Sequence, residues 1–176
     1  MTENQEDIVK RLTSRTDDKK TWPDGPWQTE PDRVEWIDAA TGLHCLIKRN
    51  LWVTGGLCGY VGVPSTHPAY QHGYSDVEYT SDKAIEWWRR HVTKRVDYKI
   101  YDIQVHGGLT FSGTWDDESL WYFGFDCGHA GDFSPRMDAL KDLGKDWGFC
   151  TNDYRDIHYV SAEVELLAKQ LGAITK

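Results

Sequence analysis

The chain has 176 residues and a formal net charge of −8, a length that suffices for one domain without disulfides or a structural metal. Because proteins that coat nucleic acid carry an excess of Lys and Arg, this acidic charge argues against nucleic acid as a partner. No apolar run reaches the ~20 residues that span a bilayer, and the charged start lacks the hydrophobic region of a signal peptide, so we expect an intracellular protein with no membrane partner.

The first third of the chain divides into three segments by composition. Residues 1–20 are polar and charged with only a brief amphipathic trace, which predicts a mobile N-terminal arm. Residues 21–33 hold three prolines and two tryptophans, a composition that forbids regular structure while supplying rings to pack against a core. We therefore expect a Pro/Trp-rich strap there and a single α+β domain over 34–176.

Three strands are predicted next, from β-branched and aromatic residues interrupted by turn residues. They cover residues 34–38, 43–49 and 51–63. Residues 39–42 (AATG) supply a tight turn, which favours an antiparallel meander. The long irregular segment 64–79 is typical of a functional loop, and we expect Tyr70 within it to help close a binding site.

The second half of the chain alternates between helical and strand patterns. Helices are predicted over 81–92, 135–143 and 157–171, and the last has the clearest spacing, with Asp156 before it and Gly172 after it. Strands are predicted over 101–105, 109–112 and 121–125, which puts Asp126 at the end of the last strand on its opposite face. The sequence therefore predicts an α+β fold, a mostly antiparallel sheet with a long C-terminal helix and one or two shorter helices packed on it.

Polar residues that could carry chemistry lie beside glycines at two strand ends, in the motifs VHGGLT (105–110) and FDCGHAGD (125–132). If the two strands are neighbours in the sheet, the side chains of both motifs converge on one site. The candidate residues are His106, Thr110, Asp126, Cys127, His129 and Asp132.

Three kinds of chemistry fit this set. Imidazoles and carboxylates are ligands for Zn²⁺, Mn²⁺ or Fe²⁺, so a divalent metal site is one interpretation. Its ligands would be His106, Asp126, His129 and Asp132. A second interpretation makes Cys127 a nucleophile with His106 or His129 as its base. In the third, glycine-exposed amides and these side chains bind a small polar ligand without a reaction.

Each interpretation has a purely structural alternative. A Gly-His-Ala-Gly-Asp stretch is also typical of a tight turn in which Asp caps backbone amides. Cys127 fits a small buried hydrophobe, and Tyr70 fits a residue that packs its loop down. Arg155, at the start of the last helix, could bind an anion, form an ion pair or remain solvated.

Four blocks of this sequence, taken in order, resemble a family of small uncharacterised proteins of tailed bacteriophages and prophages. They are CGYVGVPSTHPAY (58–70), VHGGLTFSG (105–113), WYFGFDCGHAGDFSP (121–135) and YRDIHYVSAEVELLAKQL (154–171). The resemblance spans residue 43 to the end and brings no known activity with it. It implies a location in the host cytoplasm and a counter-defence role.

Three functions follow as hypotheses. The first is a phage accessory protein that binds a host protein or a small nucleotide-like ligand. The alternative is a small metal-dependent hydrolase that acts on a phosphorylated or nucleotide substrate. The second alternative is a structural phage protein that forms a homodimer, because Trp and Tyr are enriched at interfaces.

Overall fold

The computed structural model describes residues 17–75, 103–115, 119–141 and 153–174. These parts of the chain include five strands and two α-helices. The strands are β1 (Arg33–Ile37), β2 (His44–Arg49), β3 (Leu57–Pro64), β4 (Phe111–Gly113) and β5 (Leu120–Asp126). The helices are α1 (Pro135–Lys141) and α2 (Ile157–Gly172), and short 3₁₀ helices cover Asp17–Thr21 and Pro26–Gln28.

The strands form one antiparallel sheet in the order β1-β2-β3-β5-β4. The predicted meander is confirmed as β1-β2-β3, with Gly42 in the left-handed region at the first turn. Helix α2 packs across β2 and β3 on one face of the sheet. The predicted fold class, an α+β fold with an antiparallel sheet and a long C-terminal helix, is therefore confirmed.

Helix α2 begins where the sequence predicts, because the carboxylate of Asp156 accepts a hydrogen bond from Tyr159 N at 2.8 Å. Its buried stripe meets the sheet at Gly59 of β3. A Cβ there would lie 2.5 Å from Val164 Cγ2, so only glycine lets the helix approach the strand this closely. The fully buried residues of the stripe are Val160, Val164, Leu167, Ala168 and Leu171.

The third strand begins later than predicted, at Leu57 rather than at residue 51. Residues 51–54 form a turn instead, in which Val53 N donates to Asn50 Oδ1 at 3.0 Å. An asparagine side chain that bonds the backbone nearby competes with strand pairing. The hairpin between β2 and β3 is therefore longer than the sequence pattern suggests.

The strand predicted over 101–105 is wrong for the described residues 103–105, which lie outside the sheet. Their backbone bonds to α2, because Gln104 N donates to Gln170 Oε1 at 2.7 Å. Ile103 is buried and Val105 packs against the core, which explains the alternating pattern. The strand then starts two residues later than predicted, at Phe111.

The segment before β1 packs on the domain through aromatic contacts. Trp27 is buried, and its ring lies 5.0 Å from that of Phe133 and 4.9 Å from that of Tyr154. It belongs to the 3₁₀ helix Pro26–Gln28, so the prediction that this composition excludes regular structure is wrong for one short turn. Proline at the first position of such a turn needs no hydrogen-bond partner for its nitrogen.

A buried ionic network joins the same segment to β2. The Arg49 side chain is fully buried, with Nε 2.6 Å from Asp32 Oδ1 and Nη2 2.9 Å from Glu30 Oε2. Lys19 Nζ lies 2.8 Å from the same Asp32 oxygen. Tyr154 extends the network towards α2, because its hydroxyl accepts from Arg49 Nη1 at 2.8 Å.

Some predicted features lie outside the described residues. They are the helix over 81–92 and the end of α1 near Gly144. The division into an arm, a strap and a domain stays a prediction. Within the part of the chain that the structure describes, no helix is long and apolar enough to cross a bilayer.

Candidate functional site

The two glycine-flanked motifs meet at one end of the sheet. Strands β4 and β5 are antiparallel neighbours, with Phe111 opposite Gly124, so residues just before β4 lie beside residues just after β5. Thr110 N continues this pairing by donating to Gly124 O at 2.8 Å. The topology thus brings the segment 105–110 against the turn 126–132.

Three side chains from these motifs place their donor atoms together. His106 Nε2 lies 2.8 Å and His129 Nδ1 lies 3.6 Å from Asp132 Oδ2. All three atoms lie within 4.8 Å of one another. Among the described residues, the buried atom His129 Nδ1 has no hydrogen-bond partner. The cluster therefore contains two imidazole nitrogens and one carboxylate oxygen that converge on one point.

Two side chains of helix α2 contact His106 on the side away from Asp132. The hydroxyl of Tyr159 lies 3.0 Å from His106 Nδ1, the ring nitrogen that faces away from Asp132. Glu163 Oε2 accepts a hydrogen bond from the backbone nitrogen of His106 at 2.8 Å. Both contacts orient the imidazole, since its second nitrogen and its backbone are fixed.

Asp132 is held by donors on both of its oxygens. Arg155 Nε donates to Oδ1 at 3.0 Å, and His129 N donates to Oδ2 at 3.1 Å. Burial opposes ionisation, but the hydrogen bonds from His106, Arg155 and the His129 backbone outweigh it and lower the pKa of Asp132 below its usual value. At neutral pH the site therefore holds a carboxylate anion.

The His129 ring occupies space that a side chain at residue 107 would fill. The φ of Gly107 is 64°, in the left-handed region, and a Cβ on it would lie 2.2 Å from His129 Cε1. The absence of a side chain thus lets the imidazole lie flat against the backbone that follows His106.

Gly107→Ala is expected to displace the His129 ring, which nuclear magnetic resonance would detect as altered chemical shifts of its ring protons. Gly42→Ala is the matched control, because Gly42 has a similar φ of 71° with no atom within 4 Å of the added Cβ. Each variant should lose about 1 kcal/mol of stability from the strained backbone, and Gly107→Ala should lose more because its Cβ meets the His129 ring. Unchanged His129 shifts in Gly107→Ala would contradict the packing described.

The other two polar candidates pair with each other. Thr110 Oγ1 donates to Asp126 Oδ2 at 2.9 Å, and Gly128 N donates to Asp126 Oδ1 at 3.0 Å. Asp126 is on the opposite face of β5 from Phe125, as the alternation predicts. Its carboxylate is not part of the cluster of His106 and Asp132 donor atoms.

Cys127 is buried beside this turn with 2% exposure. Burial, and after it the nearby carboxylate of Asp132, raises the pKa of its thiol far above the ordinary value. A thiol that stays protonated at neutral pH is a weak nucleophile, so this environment favours the structural interpretation of Cys127.

Tyr70 lies near the start of β5, whereas the histidine cluster lies beyond the end of that strand. The Tyr70 ring contacts Trp121 at 6.4 Å, near the start of β5. In the same loop, His67 Nε2 lies 3.0 Å from Leu171 O, at the end of α2. The loop over 64–75 therefore packs against the sheet edge and the end of α2, whereas the cluster lies near the beginning of α2.

Tyr159 and Glu163 belong to the site and were not among the sequence candidates. Tyr159 and Glu163 are four residues apart in α2, which places them one turn from each other beside its buried stripe, whereas Arg155 precedes the cap residue Asp156. The four-residue spacing of Tyr159 and Glu163 is the sequence signal from which they could have been identified. Glu163 also lines an open surface pocket of about 260 Å³, together with Gln104, Val105, His106 and Leu166.

Comparisons with protein-family models, with curated proteins and with solved structures give no match for this chain. The resemblance to phage proteins and the location in a host cytoplasm therefore stay predictions. What the site does has to be inferred from its side chains.

Proposed function

We propose that this protein is a metal-dependent hydrolase that binds one divalent cation through His106, His129 and Asp132 and acts on a phosphorylated substrate. The observation that carries the proposal is the convergence of His106 Nε2, His129 Nδ1 and Asp132 Oδ2. Two imidazoles and one carboxylate form a ligand set that catalytic metal sites use with positions left for water and substrate.

The distances within the cluster fit this use. Ligand atoms at ~2.0–2.3 Å from a metal are roughly 3–3.5 Å from one another at adjacent coordination positions. The separations of 2.8 Å and 3.6 Å between the nitrogens and Asp132 Oδ2 lie close to that range. Small rotations of the two imidazoles would complete the set.

The residues around the cluster support the same interpretation. In the metal-free protein His106 Nε2 donates to Asp132, so a bound cation would take the place of that proton while Nδ1 keeps its own proton and donates it to the Tyr159 hydroxyl. With Arg155 on Oδ1, the second oxygen of Asp132 is directed to the same point. His129 Nδ1, buried without a partner among the described residues, acquires one on metal binding.

A bound divalent cation would supply Lewis acidity and lower the pKa of a coordinated water. In the hydrolysis, the water oxygen would bond to phosphorus and lose a proton, the bond from phosphorus to the leaving-group oxygen would break, and that oxygen would take up the proton that the water lost. Two neutral imidazoles and one carboxylate leave a divalent site with a net positive charge, which favours an anionic substrate.

The experiment combines native mass spectrometry with calorimetric titration of Zn²⁺, Mn²⁺ and, without oxygen, Fe²⁺. We expect one ion per chain and hydrolysis of phosphate esters by the loaded protein. His129→Gln should lose both, whereas the control His44→Gln should keep both, because His44 contacts Tyr122 and Glu35 away from the cluster. Wild-type protein that binds none of these ions would refute the proposal.

The roles expected from the resemblance stay predictions. Binding of a host protein or a nucleotide-like ligand, and formation of a homodimer, are compatible with the fold. No contact among the described residues favours either of them over the hydrolase, which rests on a specific ligand cluster.

A further inference from the structure

A guanidinium group lies beside the three candidate metal ligands. Arg155 Nε donates to Asp132 Oδ1 at 3.0 Å, one carboxylate away from the donor atoms of His106 and His129. The ring of Tyr159 lies 5.0 Å from Arg155 Cζ and supports the group from α2. These two contacts restrain the guanidinium next to the cluster.

Most of the hydrogen-bonding capacity of Arg155 is unused. Among the described residues, neither its Nη1 nor its Nη2 has a hydrogen-bond partner, and its side chain is 30% exposed. Arginine has five donors in a planar fork and stays charged at any physiological pH. Four donors are thus left for an anion that enters the cluster from solvent.

We infer, on the basis of the proposed function, that the substrate is a phosphate monoester and that Arg155 binds two of its non-bridging oxygens. A phosphate monoester has three non-bridging oxygens, so two can face the guanidinium while the third faces the centre formed by His106, His129 and Asp132. A phosphodiester or a carboxylate has only two such oxygens and cannot fill both contacts in this way.

The carboxylates around Arg155 give a reason why binding of a dianion would need its positive charge. The chain carries a net charge of −8, and Asp132, Asp153 and Glu163 lie around the guanidinium and Tyr159. A phosphate monoester has about −1.5 to −2 charges at pH 7 and would be repelled by these carboxylates. A guanidinium adjoining a bound cation offsets this repulsion at the site itself.

The test uses metal-saturated protein and compares p-nitrophenyl phosphate with bis-p-nitrophenyl phosphate. Wild type should prefer the monoester, and inorganic phosphate should inhibit it competitively. In Arg155→Gln we expect the inhibition constant of phosphate and the KM for the monoester to rise about 10- to 100-fold, because charge-assisted hydrogen bonds are lost. Arg155→Lys keeps the charge without the fork and should show an intermediate rise.

Arg33→Gln is the matched control, because Arg33 is 34% exposed and paired with Glu35 on β1. It should leave both constants unchanged. Metal affinity and thermal unfolding are measured for every variant, so that loss of the contact with Asp132 is separated from loss of phosphate binding.

Two results would overturn the inference. One is a wild-type preference for the diester, and the other is an unchanged inhibition constant in Arg155→Gln at saturating metal; either would leave the hydrolase itself standing. If the protein binds no metal, the proposed function fails separately. Phosphate binding to the metal-free protein, followed by ³¹P resonance, then decides: weaker binding in Arg155→Gln supports the anion contact, and equal binding refutes it.

Discussion

Asp132→Asn is expected to abolish metal-dependent hydrolysis and to weaken metal binding by more than about 100-fold, since removal of an outer-shell partner alone costs about 10–100-fold. The asparagine keeps the size of the side chain, but its single amide oxygen can accept from the donor on only one side, either Arg155 or His106. It also loses the negative charge with which the carboxylate would attract a divalent cation. Metal titration and steady-state kinetics on the same preparation measure both effects.

Asp126→Asn is the informative control for this variant. Asp126 was a candidate ligand on sequence grounds, but its oxygens accept from Thr110 and Gly128 instead. We expect Asp126→Asn to keep the metal and most of the activity. Loss of metal in Asp126→Asn, with retention in Asp132→Asn, would show that Asp126 and not Asp132 is the carboxylate ligand, which would contradict the proposed site.

Arg49→Ala is expected to lower the free energy of unfolding by about 3–5 kcal/mol, the usual cost of breaking a buried ion pair. The substitution leaves Asp32 and Glu30 buried without the cation that pairs with both. It also removes the hydrogen bonds from Arg49 Nη1 to Gly55 O and to the Tyr154 hydroxyl. Urea unfolding monitored by tryptophan fluorescence measures the change.

Lys48→Ala is the neighbouring control. Lys48 lies on the opposite face of β2, where its ammonium group lies 4.1 Å from the centre of the Trp115 ring, and its loss should cost only about 0.5–1 kcal/mol. Because native domains are stable by about 5–15 kcal/mol, Arg49→Ala could be largely unfolded, and Arg49→Lys then provides a measurable second variant. Equal costs for Arg49→Ala and Lys48→Ala would show that the buried network contributes little.

The two predictions are linked through the start of α2. Glu30 accepts from the Tyr154 hydroxyl and, through Oε1, from Ile157 N at 3.0 Å, so the N-terminal segment contacts the beginning of the helix directly. Arg155 lies between these two residues. The buried network therefore holds in place the backbone that presents Arg155 to Asp132, and partial loss of the network should also weaken the site.

Local patterns were sufficient for the regular elements. Apolar residues at three- and four-residue intervals, with Asp156 before them and Gly172 after them, predicted α2. Strand patterns broken by a turn at Gly42 predicted β1 and β2 within one residue at each end. Such signals act over a few residues, so they can be read without the rest of the fold.

Patterns failed where a distant contact decided the outcome. Residues 103–105 alternate like a strand, yet they lie against α2 because Gln170 bonds the backbone of Gln104. The extended spacing is the same in both situations, and only the partner differs. Sequence spacing could not distinguish a sheet from the side of a helix.

The sequence by itself determined the fold class, the last helix and the two glycine-flanked motifs that supply polar side chains. Tertiary structure alone decided which of these side chains meet. The antiparallel pairing of β4 with β5 brings His106 to Asp132 and leaves Asp126 with Thr110, and α2 adds Tyr159 and Glu163 from residues about 50 positions away in the chain. A site is a set of distances between remote residues, and those distances follow from strand order and helix packing, which local patterns do not contain.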